Sequence, residues 1–348
     1  MGKRVLLCVS CNNKLFLWGK TATGKKRWFC KTCGTSRIYH KSKKKLDIIS
    51  LFKQYILWGL TYEMLASSSG YSIQYLIVEF HKLLLLDPPK LPRFDQSGKD
   101  GLVPESTYML IDGLWFGRWF VLLVYRQSGT LYLLHISIAG REASTKITRD
   151  LRFIKDVLKY TFTGFVTDGG TAICSAVDEV YPHAPHQICL AHMHRQIINS
   201  LGRFSKDKRI TDLISLANHI WFIESTEALK YWELNLKDWV RTNFFFLKET
   251  RKDDTGRTWY IHKGVRKAVR IMIKLPKTSF KFLTHPTMPK TTNEIEATFG
   301  HIGQRWLRHK GLKKTRWESY LKWFTYYYNL KVMADNKTKQ DKKNNTVI

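Results

Sequence analysis

Two carboxylates stand before glycine at the ends of apolar runs. Tyr108-Met109-Leu110-Ile111 leads to Asp112-Gly113, and Gly164-Phe165-Val166-Thr167 leads to Asp168-Gly169-Gly170. A buried strand presents an acid in this way at its carboxyl-terminal edge, and the glycines then let the backbone turn tightly. A third acid comes from Thr291-Thr292-Asn293-Glu294-Ile295-Glu296, where Thr292 or Asn293 can cap a helix running through Phe299 towards Leu307. Ile295, Phe299 and Ile302 mark its buried stripe; Glu296 borders that stripe and Glu294 lies on the other flank, so the pattern alone leaves both acids open. Glycines at 300 and 303 weaken the helix. Three acids gathered in space repel one another and rise in pKa unless divalent cations lie among them. Two Mg²⁺ (or Mn²⁺) ions ~4 Å apart would neutralise them, activate a water or a 3′-hydroxyl and stabilise the leaving oxygen of an in-line displacement.

Sulfur supplies a second chemistry. Cys8-Val9-Ser10-Cys11 and Cys30-Lys31-Thr32-Cys33 are two C-x-x-C pairs on tight turns. Their spacing suits a structural Zn²⁺ held by four thiolates, with strands over Lys14 to Trp18 and Arg27 to Phe29 forming a small ribbon. A segment this short builds little core, so the metal would supply its folding energy. Through Lys45 it carries thirteen Lys or Arg and no Asp or Glu, the pattern of a nucleic-acid contact module. Cys189-Leu190-Ala191-His192 has half the ligands of a metal site and no second pair nearby, so Cys189 and His192 are expected to open a helix, pack behind Asp168 and steady the substrate strand. His194 and Arg195, just beyond, are placed to meet phosphate.

The elements that must position these groups follow from periodicity. Ser106 to Ile138 is strand territory: the Asp112 strand, then Trp119 to Tyr125 and Leu131 to Ile138 joined by Gln127-Ser128-Gly129-Thr130. A helix near Ser144 to Tyr160 crosses to the Asp168 strand, a helix over Ala172 to Val180 follows, and His186 to Cys189 is a further short strand. Three antiparallel strands followed by β-α-β is the plan of the ribonuclease H-like fold, an α/β core that brings the first two acids side by side. Before it, Ile48, Ile49, Phe52, Tyr55 and Ile56 recur at helical spacing. A short helix from Thr61, a turn at Ser67 to Gly70 and a longer helix capped by Ser72 give the shape of a helix-turn-helix. Pro88 to Pro104, with four prolines, reads as a linker. Between Gly202 and Phe282, Ile210 to His219, Thr226 to Trp239 and Gly264 to Ile273 read as helices, so an all-helical insertion is expected. Arg241 to Lys281 holds twelve Lys or Arg against three acids, interleaved with Trp259, Tyr260 and Phe280, a surface able to follow a phosphate backbone. Basic residues including Arg305 and Arg308 follow the third acid, then an aromatic helix from Trp317 to Leu330 and a polar tail expected to fray from Ala334. The expected division is 1–40 zinc ribbon, 41–104 helix-turn-helix, 105–201 first part of the core, 202–290 insertion and 291–348 the remaining core helices with a basic tail.

Composition bounds the partner. The 348 residues are 44% hydrophobic and 14% aromatic, a folded chain, and carry a net charge of +30. A compact protein so charged is expected on a polyanion, DNA or RNA. Apolar runs such as Leu83 to Leu86 fall far short of the ~20 residues a membrane-spanning helix needs. The start has no adequate signal-peptide core, and paired cysteines fit a reducing, cytoplasmic compartment.

Taken in order, Asp112-Gly, Phe165-Val-Thr-Asp168-Gly, Cys189-Leu-Ala-His192 and Thr291-Thr-Asn293-x-Ile-Glu296 resemble the motifs of DDE transposases of the Mutator-like superfamily and its bacterial insertion-sequence relatives. The resemblance spans about Tyr108 to Asn329. It implies that Glu296, three residues after Asn293, is the third catalytic acid with Asp112 and Asp168. It further implies strand cleavage at element ends, joining of the freed 3′-hydroxyl to target DNA, and terminal inverted repeats held by the N-terminal modules. At least a dimer on DNA, associated with a bacterial nucleoid, would follow. The family's basic residue about two turns after the Glu falls at Gly303-Gln304, leaving Arg305 nearest. A domesticated DNA-binding regulator and a structure-specific nuclease on the same fold are the alternatives.

Overall fold

The computed structural model describes residues 6–22, 24–38, 47–90, 107–308 and 312–345. The linker expected at 88–104 lies outside them beyond Lys90, as does the basic run at 41–45. The chain divides into two compact units, residues 1–51 with 62–79, and residues 52–61 with 80–348.

In the first unit, strands β1 (Leu15–Lys20), β2 (Lys26–Cys30) and β3 (Ser36–Ile38) form an antiparallel ribbon in the order β1-β2-β3. The third strand was not legible in the sequence, since Ser-Arg-Ile carries no alternation. Asp47 caps helix α1 (Ile48–Trp58), whose residues from Phe52 belong to the second unit, by accepting the Ser50 amide at 3.2 Å. Helix α2 (Tyr62–Ser69) ends at Gly70, whose φ of 78° favours glycine, and the Ser72 hydroxyl accepts the Tyr75 amide at 3.2 Å to start α3 (Ile73–Leu84). Helix, short turn, longer helix is the expected local arrangement.

The second unit is built on a five-stranded mixed sheet: β4 (Tyr108–Phe116), β5 (Phe120–Gln127) and β6 (Leu133–Ala139), then, beyond helix α4 (Ser144–Arg152) and a π turn, β7 (Gly164–Thr167), α5 (Thr171–Val180) and β8 (His186–Ile188). The order is β6-β5-β4-β7-β8, with β4 to β6 antiparallel and β7 and β8 parallel to β4. Alternation sends Met109, Ile111, Val121, Leu123 and Tyr125 to one face, into a buried core with Ile147, Leu151, Ile173 and Val177 of α4 and α5. On that face Asp150 of α4 accepts from the Tyr125 and Ser137 hydroxyls and from Lys146.

Helix α6 (Leu190–Leu201) leads into the insertion: α7 (Lys208–His219), α8 (Thr226–Thr242), α9 (Phe244–Lys248), strands β9 (Thr250–Lys252) and β10 (Thr258–Tyr260), and α10 (Lys263–Thr278). The insertion is therefore not all-helical. Residues 249–262 form an antiparallel hairpin, its turn closed by Asp253, which accepts from the amides of Thr255 and Arg257. Helices α6 and α10 approach closely where Gly264 meets α6; a Cβ there would lie 2.2 Å from the Ser200 carbonyl oxygen. The chain then forms α11 (Asn293–Arg308), unbroken by Gly300 or Gly303, and α12 (Trp317–Asn345), so from Ala334 to Asn345 the expected frayed tail is helical. Asn329 of α12 clamps edge strand β6, accepting the Leu133 amide at 2.9 Å and donating to the Leu133 carbonyl at 2.7 Å. Trp323 and Tyr327 pack with Phe52 of α1 in the same unit. Among the described residues no helix is long and apolar enough to cross a membrane.

Candidate functional site

Strand pairing brings the first two acids together. Ile111 pairs with Thr167 across the parallel β4–β7 ladder, and Asp112 and Asp168 are the next residue on each side. Asp112 is not at a strand tip as its Gly neighbour implied; β4 continues to Phe116, with Asp112 opposite Val124 of β5. The antiparallel partner supplies ladder bonds past the glycine, so the turn signal there is overridden. Asp168 does end its strand, and its Oδ1 accepts the Gly170 amide at 2.8 Å where Gly169, at φ 86°, starts the turn into α5.

Asp112 is 4% exposed and accepts the Gly113 amide at 2.8 Å and the Thr292 hydroxyl at 3.1 Å. Burial raises its pKa to about 6; Asp168 adds to the rise, and His192, Gly113 and Thr292 oppose it. Thr292 therefore does not cap α11 with its side chain. The hydroxyl turns to Asp112, while the backbone carbonyl accepts the Ile295 amide and the Asn293 amide meets the Thr291 hydroxyl.

Cys189 opens α6 as expected and is fully buried. Its amide donates to the Thr167 carbonyl, and its sulfur accepts the Thr292 amide at 3.2 Å. Burial would raise the thiol's pKa, but hydrogen bonding with His192 and Thr292 brings it below its ordinary value. His192 is raised by the adjacent Cys189 thiol, against burial, and by Asp112 and Asp168; its buried Nδ1 has no hydrogen-bond partner among the described residues. Cys189 and His192 thus join the β7 end, the start of α11 and Asp112.

The two acids at the start of α11 part company. Glu294 faces Arg126, a fully buried side chain of β5: Arg126 Nη2 lies 3.3 Å from Glu294 Oε2, and Nη1 donates to the Thr298 hydroxyl at 2.9 Å and to the Glu294 carbonyl. Glu294 Oε2 also accepts the Gly129 amide at 3.1 Å. Glu294 is thereby committed to the fold. Glu296 is exposed and pairs with Arg195 at 3.2 Å, in an open cleft with His194, Arg203 and Trp221. His194 meets Asn218 at 2.9 Å. Arg305 and Arg308 lie on the last turns of α11, and their side chains are outside the described residues.

A fourth acid joins Asp112 and Asp168. Glu142, between β6 and α4, accepts the Trp115 indole N–H at 3.1 Å. Its carboxylate crowds both neighbouring glycines: a Cβ on Gly113 would lie 2.5 Å from Oε1, and one on Gly170 would lie 3.4 Å from Oε2. Burial raises the Glu142 pKa, with Asp168 adding to it. The sequence signal was slight, an acid just before the helix that crosses from the β6 edge to β7.

The cysteines converge fully. The sulfurs of Cys8, Cys11, Cys30 and Cys33 lie within 4.8 Å of one another, with Cys8 3.5 Å from Cys33 and Cys11 3.4 Å from Cys30. Four thiolates around a tetrahedral Zn²⁺ at ~2.3 Å stand about 3.8 Å apart, so the donor set fits a structural zinc site. Among the described residues this is the one cluster of three or more such ligands; Asp112, Asp168 and Glu296 do not converge as tightly.

No protein-family model and no curated protein matches this sequence. The functional reading therefore rests on the geometry and on the motifs themselves.

Proposed function

We propose that this chain is a DDE-type DNA transposase with a ribonuclease H-like core, cutting strands at element ends and joining the 3′-hydroxyl to target DNA. The observation that carries the reading is the β4–β7 register, which sets Asp112 beside Asp168, together with the rise of the buried Asp112 carboxyl to about 6. An acid raised by burial and by a neighbouring acid fits a site whose charge is completed by cations. Asp112, Asp168 and Glu296 would hold two Mg²⁺ or Mn²⁺ ions. When bound, such ions lower the pKa of an attacking hydroxyl and stabilise the leaving oxygen of an in-line phosphoryl transfer.

The chain's own groups orient the rest. Thr292 and Gly113 fix the rotation of Asp112, and the Gly170 amide fixes Asp168. Arg195 holds Glu296, and a substrate phosphate would compete for that guanidinium, freeing the carboxylate towards the other acids. His194 beside it would meet the same backbone. The four-cysteine ribbon and the α2–α3 pair would hold terminal inverted repeats, and the basic insertion, with Arg305 and Arg308 of α11, flanking DNA. Two ends must be synapsed, so at least a dimer on DNA, in the bacterial nucleoid, is implied.

The test incubates wild type and Asp168→Asn with Mg²⁺ or Mn²⁺ and labelled DNA carrying the sequences that flank the gene. End-specific nicking and joining by wild type alone supports the reading. Equal end binding with no cutting by either protein replaces it with a DNA-binding regulator. Cutting that ignores the ends replaces it with a structure-specific nuclease.

A further inference from the structure

The ribbon of the first unit has two unlike faces. Leu15 and Cys30, paired in register, turn inward with Cys8 to make its small core. Alternation sends Phe16, Trp18 and the cross-strand partner Phe29 to the opposite face. There Phe16 is 40% and Trp18 56% exposed, and the Trp18 and Phe29 rings lie 5.0 Å apart. Cations edge the same rings: Arg27 is 5.9 Å from Trp18, and Lys14 and Lys31 are 5.8 and 4.8 Å from Phe16.

Neither ring serves the core, and no acid occurs in the first 45 residues to neutralise the cations. Lysines and arginines alone would satisfy a duplex, whose phosphates are outside and whose bases are stacked within. Exposed rings between those cations add something a duplex leaves unused, because only unpaired bases offer free π-faces. Charge complementarity and stacking thus select one occupant.

We propose that this face of the ribbon binds single-stranded DNA, with unpaired bases stacked on Phe16 and Trp18 and phosphates at Lys14, Arg27 and Lys31. The choice of DNA over RNA rests on the transposase reading; the stacking does not. In that setting the ribbon would grip a frayed or freshly nicked strand at the element end.

The test uses the full zinc-loaded chain and fluorescence anisotropy of labelled oligo-dT of about 20 nucleotides, with a mixed-sequence duplex of equal length. Trp18→Ala is expected to weaken oligo-dT binding about tenfold and to leave duplex binding within about twofold, with Trp18→Phe restoring most of the affinity. Lys31→Gln is expected to weaken both and to flatten the salt dependence. Retention of one zinc per chain shows that each variant ribbon is folded. Equal loss on both nucleic acids, or no loss on oligo-dT in a Phe16→Ala, Trp18→Ala double variant, overturns the proposal. So does loss of self-association with oligo-dT binding intact, which would make the face a protein interface, and so does a clear preference for oligo-U RNA. If wild type never cuts element ends but Trp18→Ala still loses oligo-dT, the transposase reading fails and the stacking face stands.

Discussion

Glu294 and Glu296 sit two residues apart on one helix, and exchanging the same functional group at each should give opposite phenotypes. Arg126 is 0% exposed and Glu294 is its carboxylate partner among the described residues; the Glu294 side chain is 36% exposed. Removing one partner of a buried ion pair costs about 3–5 kcal/mol. Solvent reaches the carboxylate, and Thr298 and a backbone carbonyl still bind Arg126, so Glu294→Ala is expected to cost about 2 kcal/mol. In a unit of this size that is a fall in Tm of about 4–8 °C. Glu296 makes an exposed pair with Arg195, worth about 0–1 kcal/mol, so Glu296→Ala should leave Tm nearly unchanged while abolishing strand cleavage. Differential scanning calorimetry of both variants, beside end-cleavage assays below the melting range, reads the contrast. Loss of cleavage in Glu294→Ala at an unchanged Tm, or matching melting losses in both, would refute the assignment.

Further outcomes follow from the same geometry. Asp112 is raised from 3.8 to about 6, so in metal-free protein its ionisation opposes folding, with stability lost as pH rises through that window; Asp112→Asn should therefore stabilise the protein by about 2–3 kcal/mol at pH 8, measured by urea melts without added divalent ions. Asp150 shows the reverse sign. Burial pushes it up, but His135, Lys146 and Ser137 hold it down at about 2 against an ordinary 3.8. Its contribution, about 2 kcal/mol, is present above pH 3.8 and lost as pH falls towards 2, so Asp150→Asn should destabilise at pH 7 and not at pH 2 in guanidinium titrations. Gly264→Ala should lower stability by about 1–3 kcal/mol because its Cβ would meet the Ser200 carbonyl, with loss of amide protection in α6 and α10 by hydrogen exchange. Zinc-loaded protein carrying Cys30→Ser is expected to give up its metal in a chromogenic chelator assay and to lose exchange protection in the β1-β2-β3 ribbon alone.

Much of this was legible because single residues obey local rules. Gly164 to Thr167 is short, apolar and ended by Asp168-Gly-Gly, and the strand and turn fall there. The C-x-x-C pairs announced a cluster that needs no knowledge of the rest of the fold. Glu142 was hidden because its nearness to Asp168 depends on the path of a crossover rather than on spacing. Thr292, offered with Asn293 as a capping residue, gave no sign that its hydroxyl orients Asp112, because a cap and a residue that orients a carboxylate look alike until β4 is placed beneath it. The hairpin at 249–262 was missed because Thr-Arg-Lys and Thr-Trp-Tyr are too short to show alternation. Arg126 gave no hint of burial, since an arginine in an apolar strand is ordinarily an edge residue with its charge in water.

The bonds from Thr292 to Asp112 and Cys189 have a consequence for the order in which the protein is made. They join residues 180 and 103 positions apart in the chain. Every strand of the central sheet is encoded before residue 189, so a growing chain can complete that sheet long before α11 emerges. Until then Asp112 lacks its threonine and Glu296 does not exist. The loop closures add an entropic cost that grows only slowly with length, so the final docking depends on synthesis more than on search. A prematurely ended chain would thus carry Asp112, Asp168 and every strand of the sheet, yet lack both Thr292 and Glu296.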